Sequence, residues 1–211
     1  MKTIITKEMI EKARDENLRQ FEGDLGLLSD VINAHPKNYG ESVVAVAAKV
    51  AVVDVTNSTH LHLARETLPL HSLVEIIRCM EGLDGLIKDG SPLAVERIVD
   101  EAYDKGRYRP FSFATKYCCY HNRMAYNGDG YSIIDSTVCD WLRRYYEEDE
   151  EMLKEVNNCY NSKKYAEDGD CKGLYGILTQ VIEENGLCGI ENVRAKLDSY
   201  IYMSETGRLP G

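Results

Sequence analysis

Residues 105–128 form a segment whose charged side chains are all basic, within a chain that is acidic overall. The 211-residue chain has 35 acidic and 25 basic residues and a formal net charge of -10, yet these 24 residues include no Asp or Glu. The basic residues of the segment are Lys105, Arg107, Arg109, Lys116 and Arg123. Aromatic residues are interspersed among them: Tyr108, Phe111, Phe113, Tyr117, Tyr120 and Tyr126. Basic groups contact phosphates and aromatic rings stack on bases, so this composition is typical of a nucleic-acid-binding surface.

The same segment has a second interpretation, which the sequence leaves open. A helix that buries its aromatic face in a core and pairs its cations with acidic neighbours has the same composition. The acidity of the whole chain argues against a general nucleic-acid coat, although a local basic patch can override net charge. The arrangement of the charges therefore carries more information than their sum.

Lys116 of this segment and Asp135, which follows the segment, have a spacing that is found in a known family. Thr115 and Lys116 lie near the start of one predicted helix, and Asp135 lies at the start of the next, nineteen residues after Lys116. In this respect the sequence resembles the helix-hairpin-helix DNA glycosylase superfamily, specifically the 8-oxoguanine DNA glycosylase type with a catalytic lysine. The segments 112–117 and 134–136 also look like those of small bacterial proteins with this glycosylase fold.

The resemblance implies an all-α, helix-hairpin-helix DNA glycosylase-like fold and a base-excision glycosylase with AP lyase activity. The implied substrate is double-stranded DNA with an oxidised or modified purine such as 8-oxoguanine, which must be flipped out of the stack. Lys116 is the implied nucleophile, which forms a Schiff base with the sugar, and Asp135 the implied partner that stabilises the positive charge on the sugar. The alternative is a catalytically idle nucleic-acid- or protein-binding module of the same fold.

Two weaker similarities extend the resemblance. The segment 55–59 is similar to the polar loop that fills the gap left by an extruded base, which places Asn57 at the DNA; a helix cap is the alternative role for Asn57. The segment 196–202 looks like the final Leu-Asp-aromatic helix of the small bacterial relatives.

This sequence differs most from the family pattern in the hairpin. The family usually has Gly-x-Gly before the threonine, whereas this chain has Arg109–Phe113, and Ile133 and Ile134 replace the family's Gly/Pro before the aspartate. We therefore expect side chains and a helix N-terminus to replace the glycine-rich hairpin in binding phosphate. The expected DNA-contacting residues are Asn57, Lys105, Arg107, Arg109, Thr115 and Arg123.

The cysteines predict neither a disulfide framework nor a cofactor. Their number, seven, is odd and their spacing irregular, which is typical of reduced thiols. Cys159, Cys171 and Cys188 are 12 and 17 residues apart, which does not fit the iron-sulfur loop of some relatives. Cys118, Cys119 and His121 have no second pair of metal ligands nearby. We expect no metal and no cofactor.

Helical periodicity dominates the rest of the chain. We predict a single domain over residues 1–211, with a core at about 41–205; a division of this domain into two lobes stays open. The apolar stretch 41–55 predicts a helix buried on nearly all sides, although its valines leave a strand open. The other predicted helices are 7–21, 71–81, 91–103, 111–122, 135–146, 148–159, 173–185 and 190–204.

The chain has no segment that predicts a membrane span or a signal peptide. Its longest apolar stretch, 43–53, has eleven residues and is interrupted by Lys49, whereas a membrane helix needs about 20. The charged first turns lack an apolar targeting region. We expect a cytoplasmic protein that does not act at a membrane, and the sequence leaves its oligomeric state open.

Overall fold

The computed structural model describes residues 4–61, 66–167 and 172–209, which form α-helices and no strand. The all-α class is therefore confirmed. The helices are α1 (Lys7–Gln20), α2 (Glu22–Ala34), α3 (Val43–Asn57), α4 (Leu70–Cys79), α5 (Leu83–Lys88), α6 (Leu93–Gly106), α7 (Phe111–Tyr126), α8 (Ser136–Tyr145), α9 (Glu150–Ser162), α10 (Gly173–Glu184) and α11 (Val193–Glu205).

Two helices, α2 and α5, are absent from the sequence-based prediction. Both contain glycine, which costs about 1 kcal/mol relative to alanine inside a helix. In α2 the residues Leu28 and Ile32, one turn apart, are both about 1% exposed. Burial of these side chains offsets the glycine penalty, and such tertiary packing is not visible in local propensity.

The chain divides into two compact units. Gly23–Tyr131 forms one of them, called the central unit below, and Met1–Glu22 together with Ser132–Gly211 forms the other, the terminal unit. Ile5 is already buried, so the core includes residues well before the predicted limit of residue 41.

The central unit is built around α3 and α7. Helix α3 packs against α4 and α7, and α6 packs against α4 and α7. Val46, Val50 and Val53 of α3 are fully buried, but Val44 is 79% exposed and Val55 78% exposed. The expectation that this helix is buried on nearly all sides is therefore wrong, because one apolar face of α3 is open to solvent.

Asn122 fixes the C-terminal part of α7 between two glycine turns. Its Nδ2 donates to the carbonyl oxygen of Ile87 at 2.7 Å, and its Oδ1 accepts from the amide of Gly130 at 3.0 Å. Gly90 has φ +68°, and a Cβ atom there would lie 2.8 Å from the Cα of Gly130. The backbones at Gly90 and Gly130 approach each other too closely for a side chain at either position, so both residues have to be glycine.

The terminal unit consists of α1 and α8 to α11. Helix α11 packs against α1 and α8, and α9 packs against α8 and α10. Trp141 of α8 is 7% exposed, stacks on Tyr145 at 5.0 Å between ring centroids, and meets the edge of Tyr200 of α11. This aromatic cluster joins α8 to α11.

Two further predictions concern thiols and membranes. All cysteines in the described part of the chain are free thiols, and Cys171 lies outside that part. Across the described residues, no helix is both long enough and apolar enough to traverse a bilayer.

Candidate functional site

Lys116 lies in the second turn of α7 and is 8% exposed. Its Nζ donates to the main-chain oxygen of Asn57 at 3.2 Å, although the two residues are 59 positions apart in sequence. The family pattern predicts this lysine at the start of its helix. Because α7 begins at Phe111, after Pro110, Lys116 lies one turn further along. The lysine is held against the C-terminal end of α3.

Asn57 is the last residue of α3 rather than part of a loop. Its Oδ1 accepts from the hydroxyl of Tyr120 at 2.7 Å. Its Nδ2 donates to the carbonyl oxygen of Val53 at 3.2 Å and to Oγ1 of Thr56 at 2.8 Å. Lys116 and Tyr120 are one turn apart on α7, so the same face of that helix holds both the main chain and the side chain of Asn57.

The residues that follow α3 are organised by Asp54. Its carboxylate accepts from the hydroxyl of Thr59 and, at 3.1 Å, from the amide of Leu61. Ser58 and His60 have φ of 48° and 57°, a left-handed conformation that non-glycine residues seldom adopt. Burial, followed by the nearby charge of Asp54, raises the pKa of Tyr108, a residue between α6 and α7.

A four-residue loop, 107–110, joins α6 to α7, and the two helices pack against each other. Arg107 and Arg109 are exposed, and their guanidinium carbons lie 5.3 Å and 4.0 Å from the centroid of the Tyr103 ring. Stacking on a ring reduces the mobility of an arginine side chain. The N–H groups at the edge of the guanidinium can still donate to a phosphate. Lys105, in the last turn of α6, is also exposed.

Two of the expected DNA-contacting residues are used inside the central unit instead. Thr115 is fully buried, and its hydroxyl donates to the carbonyl oxygen of Ser112 at 3.1 Å. Arg123, with 14% of its side chain exposed, donates to the carbonyl oxygen of Tyr131 at 3.1 Å and pairs with Asp129 at 3.5 Å. Neither side chain is presented to a phosphate. Thr115 is buried, and Arg123 is paired with Asp129.

Asp135 belongs to the terminal unit and caps α8 at its N-terminus, where the sequence predicts it. Its Oδ1 accepts from the amide of Val138 at 3.2 Å, and the residue is partly exposed. The capping bond fixes the direction of the Asp135 carboxylate at the N-terminus of α8.

Lys49 of α3, which interrupts the apolar stretch 43–53, is fully buried. Its Nζ donates to the carbonyl oxygens of His35 at 2.9 Å and Lys37 at 2.5 Å, and to Oδ1 of Asn38 at 2.7 Å. Burial lowers the pKa of Lys49 to about 8, against the opposing effect of Asp84 and Glu41. One charged residue inside an apolar helix was the available signal for this buried centre.

The Lys49 centre also fixes α7. Asn38 accepts from the hydroxyl of Tyr117 at 2.6 Å, and its amide nitrogens donate to Oδ1 of Asp84 at 2.8 Å and 2.9 Å. Tyr117 is the residue that follows Lys116 in the chain. The network therefore holds the helix turn that carries the candidate nucleophile.

His121 lies one turn further along α7 than Tyr117. We expect it to lower the free energy of unfolding in acid. Its Nε2–H donates to the carbonyl oxygen of Pro36 at 2.7 Å, and its buried Nδ1 has no hydrogen-bond partner within the described residues. Burial, followed by the charge of Lys49, lowers the pKa of His121 from 6.5 to about 4, against the opposing effects of Pro36 and Asp84. The unfolded chain therefore binds this proton between pH 6.5 and 4 while the folded protein does not. Above pH 6.5 the imidazole is neutral in both states and has no effect on the free energy of unfolding. As the pH falls from 6.5 towards 4, this free energy decreases by roughly 3 kcal/mol in all.

Urea unfolding at pH 7 and pH 4.5 measures this effect. In His121→Gln an amide can donate to Pro36 without titrating, so the difference between the two pH values is expected to shrink by about 2 to 3 kcal/mol. An equal pH dependence in the two proteins contradicts the assignment to His121.

A family model matches part of the chain. The family model HI_0787_N, described as an N-terminal domain, matches residues 5–125, more than half of the chain. The matched region contains Asn57 and Lys116 and ends before Asp135. No curated protein and no solved structure matches.

Proposed function

We propose that this chain, which belongs to the HI_0787_N family through residues 5–125, is a DNA base-excision glycosylase with AP lyase activity. The proposed fold is helix-hairpin-helix glycosylase-like, with α6, the loop 107–110 and α7 as the hairpin. The proposed substrate is double-stranded DNA that carries an oxidised or modified purine such as 8-oxoguanine.

One observation carries the proposal. The resemblance assigns roles at one site to two residues that are far apart in sequence, Asn57 and Lys116, and Nζ of Lys116 lies 3.2 Å from the main-chain oxygen of Asn57. Tyr120 binds the side chain of the same asparagine. The exposed Arg107 and Arg109 lie on the loop that leads into the lysine helix. A polar segment for the DNA gap, an amine and a phosphate-binding loop thus belong to one unit.

In the proposed chemistry the amine of Lys116 is the nucleophile. Its lone pair forms a bond to C1′, the bond from C1′ to the base nitrogen breaks, and the base leaves with that electron pair and takes up the proton that the attacking nitrogen gives up. The bond from C1′ to O4′ then breaks, O4′ keeps the electron pair and takes up a proton from water, and C1′ and the nitrogen form the protonated imine. Water removes a proton from C2′, a double bond forms between C2′ and C3′, and the phosphate leaves C3′ with its electron pair, which cleaves the strand. Asp135 stabilises the positive charge that develops on the sugar.

A panel of duplex oligonucleotides, each with one modified base, tests the activity. Strand cleavage without alkali is expected for at least one oxidised purine, and cleavage only after alkali reports excision without the lyase step. The second candidate function, a catalytically idle binding module, rests on the net charge of -10 and on the replacement of the hairpin glycines. Binding without cleavage of any substrate in the panel supports that candidate.

Replacing Arg107 and Arg109 by alanine is expected to weaken DNA binding. Each lost phosphate contact reduces counterion release, so the slope of log K against log salt becomes shallower by about one unit per contact. Fluorescence anisotropy at several salt concentrations measures the slope. Arg19→Ala is the control, because it removes an exposed arginine of α1 that pairs with Glu16. A slope unchanged by the double substitution removes the loop 107–110 from the interface.

A further inference from the structure

The two residues before Ile134-Asp135 are held by side chains from distant parts of the terminal unit, and the first contact is made by Tyr165. Ser132 and Ile133 are not part of a helix, so no helical hydrogen bonds fix them. The hydroxyl of Tyr165 accepts from the amide of Ser132 at 3.1 Å and donates to its carbonyl oxygen at 2.9 Å. Ser132 and Tyr165 are both fully buried.

Helix α11 supplies two charged side chains to the same short segment. Oδ2 of Asp198 accepts from the amide of Ile133 at 3.3 Å, and Nη1 of Arg194 donates to Oγ of Ser132 at 3.2 Å. Asp198 is 8% exposed and Arg194 9% exposed. Burying charged groups costs free energy unless they are well bonded, so their use on two consecutive residues requires an explanation beyond packing.

Arg194 is itself held rigidly. Its Nη2 donates to Oγ1 of Thr179 at 2.7 Å, and its guanidinium carbon lies 4.0 Å from the centroid of the Tyr175 ring. Both contacts come from α10. The support of the Ser132-Ile133 backbone is therefore fixed from two helices, and it ends two residues before the Asp135 carboxylate.

We infer that Asp198 is a positioning residue for Asp135, together with Arg194 and Tyr165, which hold the neighbouring Ser132. It fixes the backbone that leads into α8, and through it the direction of the capping carboxylate. The chemical consequence rests on the proposed function, because a misplacement of about 1 Å in a group that stabilises a transition state can cost about 100-fold in rate. The inference also explains why a buried aspartate lies between the core residues Leu197 and Tyr200 of α11.

Amide hydrogen exchange tests the positioning without any DNA. The amide of Val138 donates to Asp135, so its exchange reports whether the carboxylate stays in place. In Asp198→Ala we expect the amides of Ile133 and Val138 to exchange about tenfold faster or more. The amide of Met152 is the matched control, because Asp149 caps α9 in the same way at 3.0 Å and in the same unit.

Two exchange results overturn the inference. Unchanged exchange of Val138 shows that Asp135 does not depend on Asp198. An equal increase at Val138 and Met152 shows a general loosening of the terminal unit, which is the result expected for a residue that only stabilises the fold.

The activity arm separates positioning from substrate binding. In Asp198→Ala we expect kcat for base excision to fall about 10- to 100-fold while KM for DNA changes less than twofold. Asp198→Asn keeps an oxygen that accepts from Ile133, so it is expected to restore most of the rate. Equal loss in the two variants overturns the inference. If the wild type excises no base, the proposed function fails, and the exchange arm still decides the positioning of Asp135.

Discussion

Lys116→Gln is expected to lose base excision and strand cleavage by about 10,000-fold or more. An amide has no nucleophilic lone pair on nitrogen, so neither the bond to C1′ nor the imine can form. The change is conservative in structure, because the glutamine side chain retains an N–H donor for the main-chain oxygen of Asn57. Single-turnover cleavage of the best substrate in the oligonucleotide panel, together with the thermal midpoint, measures the effect.

Lys88→Gln is the matched control for this loss. Lys88 is an exposed lysine in the last turn of α5 and is not one of the expected DNA-contacting residues, so its replacement removes the same charge without removing the proposed nucleophile. It is expected to leave single-turnover cleavage near the wild-type rate. Cleavage by Lys116→Gln at the rate of Lys88→Gln means that another group performs the reaction.

Asp135→Asn is expected to slow excision by about 1,000-fold while DNA binding stays close to that of the wild type. The carboxylate is used mainly when positive charge develops on the sugar, so its loss affects the transition state more than the bound substrate. Asparagine is also a good N-cap, so α8 is expected to remain intact. Abasic DNA needs no base removal, and reaction with it is therefore expected to be less impaired than excision.

Asp149→Asn makes the same substitution at the N-cap of another helix in the same unit. Asp149 caps α9, where its carboxylate accepts from the amide of Met152 at 3.0 Å. We expect this variant to keep the wild-type excision rate. Equal slowing in the two variants attributes the effect to helix capping, and a wild-type rate in Asp135→Asn removes this residue from the chemistry.

Apolar periodicity was sufficient to place most of the helices, including the ones that carry Lys116 and Asp135. The pattern records which face of a helix is buried, and burial provides most of the stability of these elements. It fails where a tertiary contact outweighs a local preference, as in the glycine-containing α2. The open face of α3, marked by Val44 and Val55, was not predictable because an apolar residue does not reveal whether anything covers it.

The candidate site was predictable only as a set of residue types. The basic composition around α7 does not show which cations are already paired, and Arg123 is paired with Asp129, a residue just outside that segment. Thr115 matches the family pattern but points into the core. The Lys49 centre depends on main-chain oxygens of residues 35–37, and main-chain atoms leave no trace in a sequence. Such contacts have to be read from the fold.

Borohydride trapping on an abasic duplex tests most directly whether Lys116 is a Schiff-base nucleophile. Reduction converts the imine into a stable covalent bond, so the wild type is expected to give a cross-linked species, and mass spectrometry of its peptides is expected to locate the sugar fragment on Lys116. The same reaction with Lys116→Gln is expected to give no adduct, and Lys88→Gln is expected to give the wild-type amount. Absence of an adduct with the wild type, or an adduct that persists in Lys116→Gln, contradicts the account.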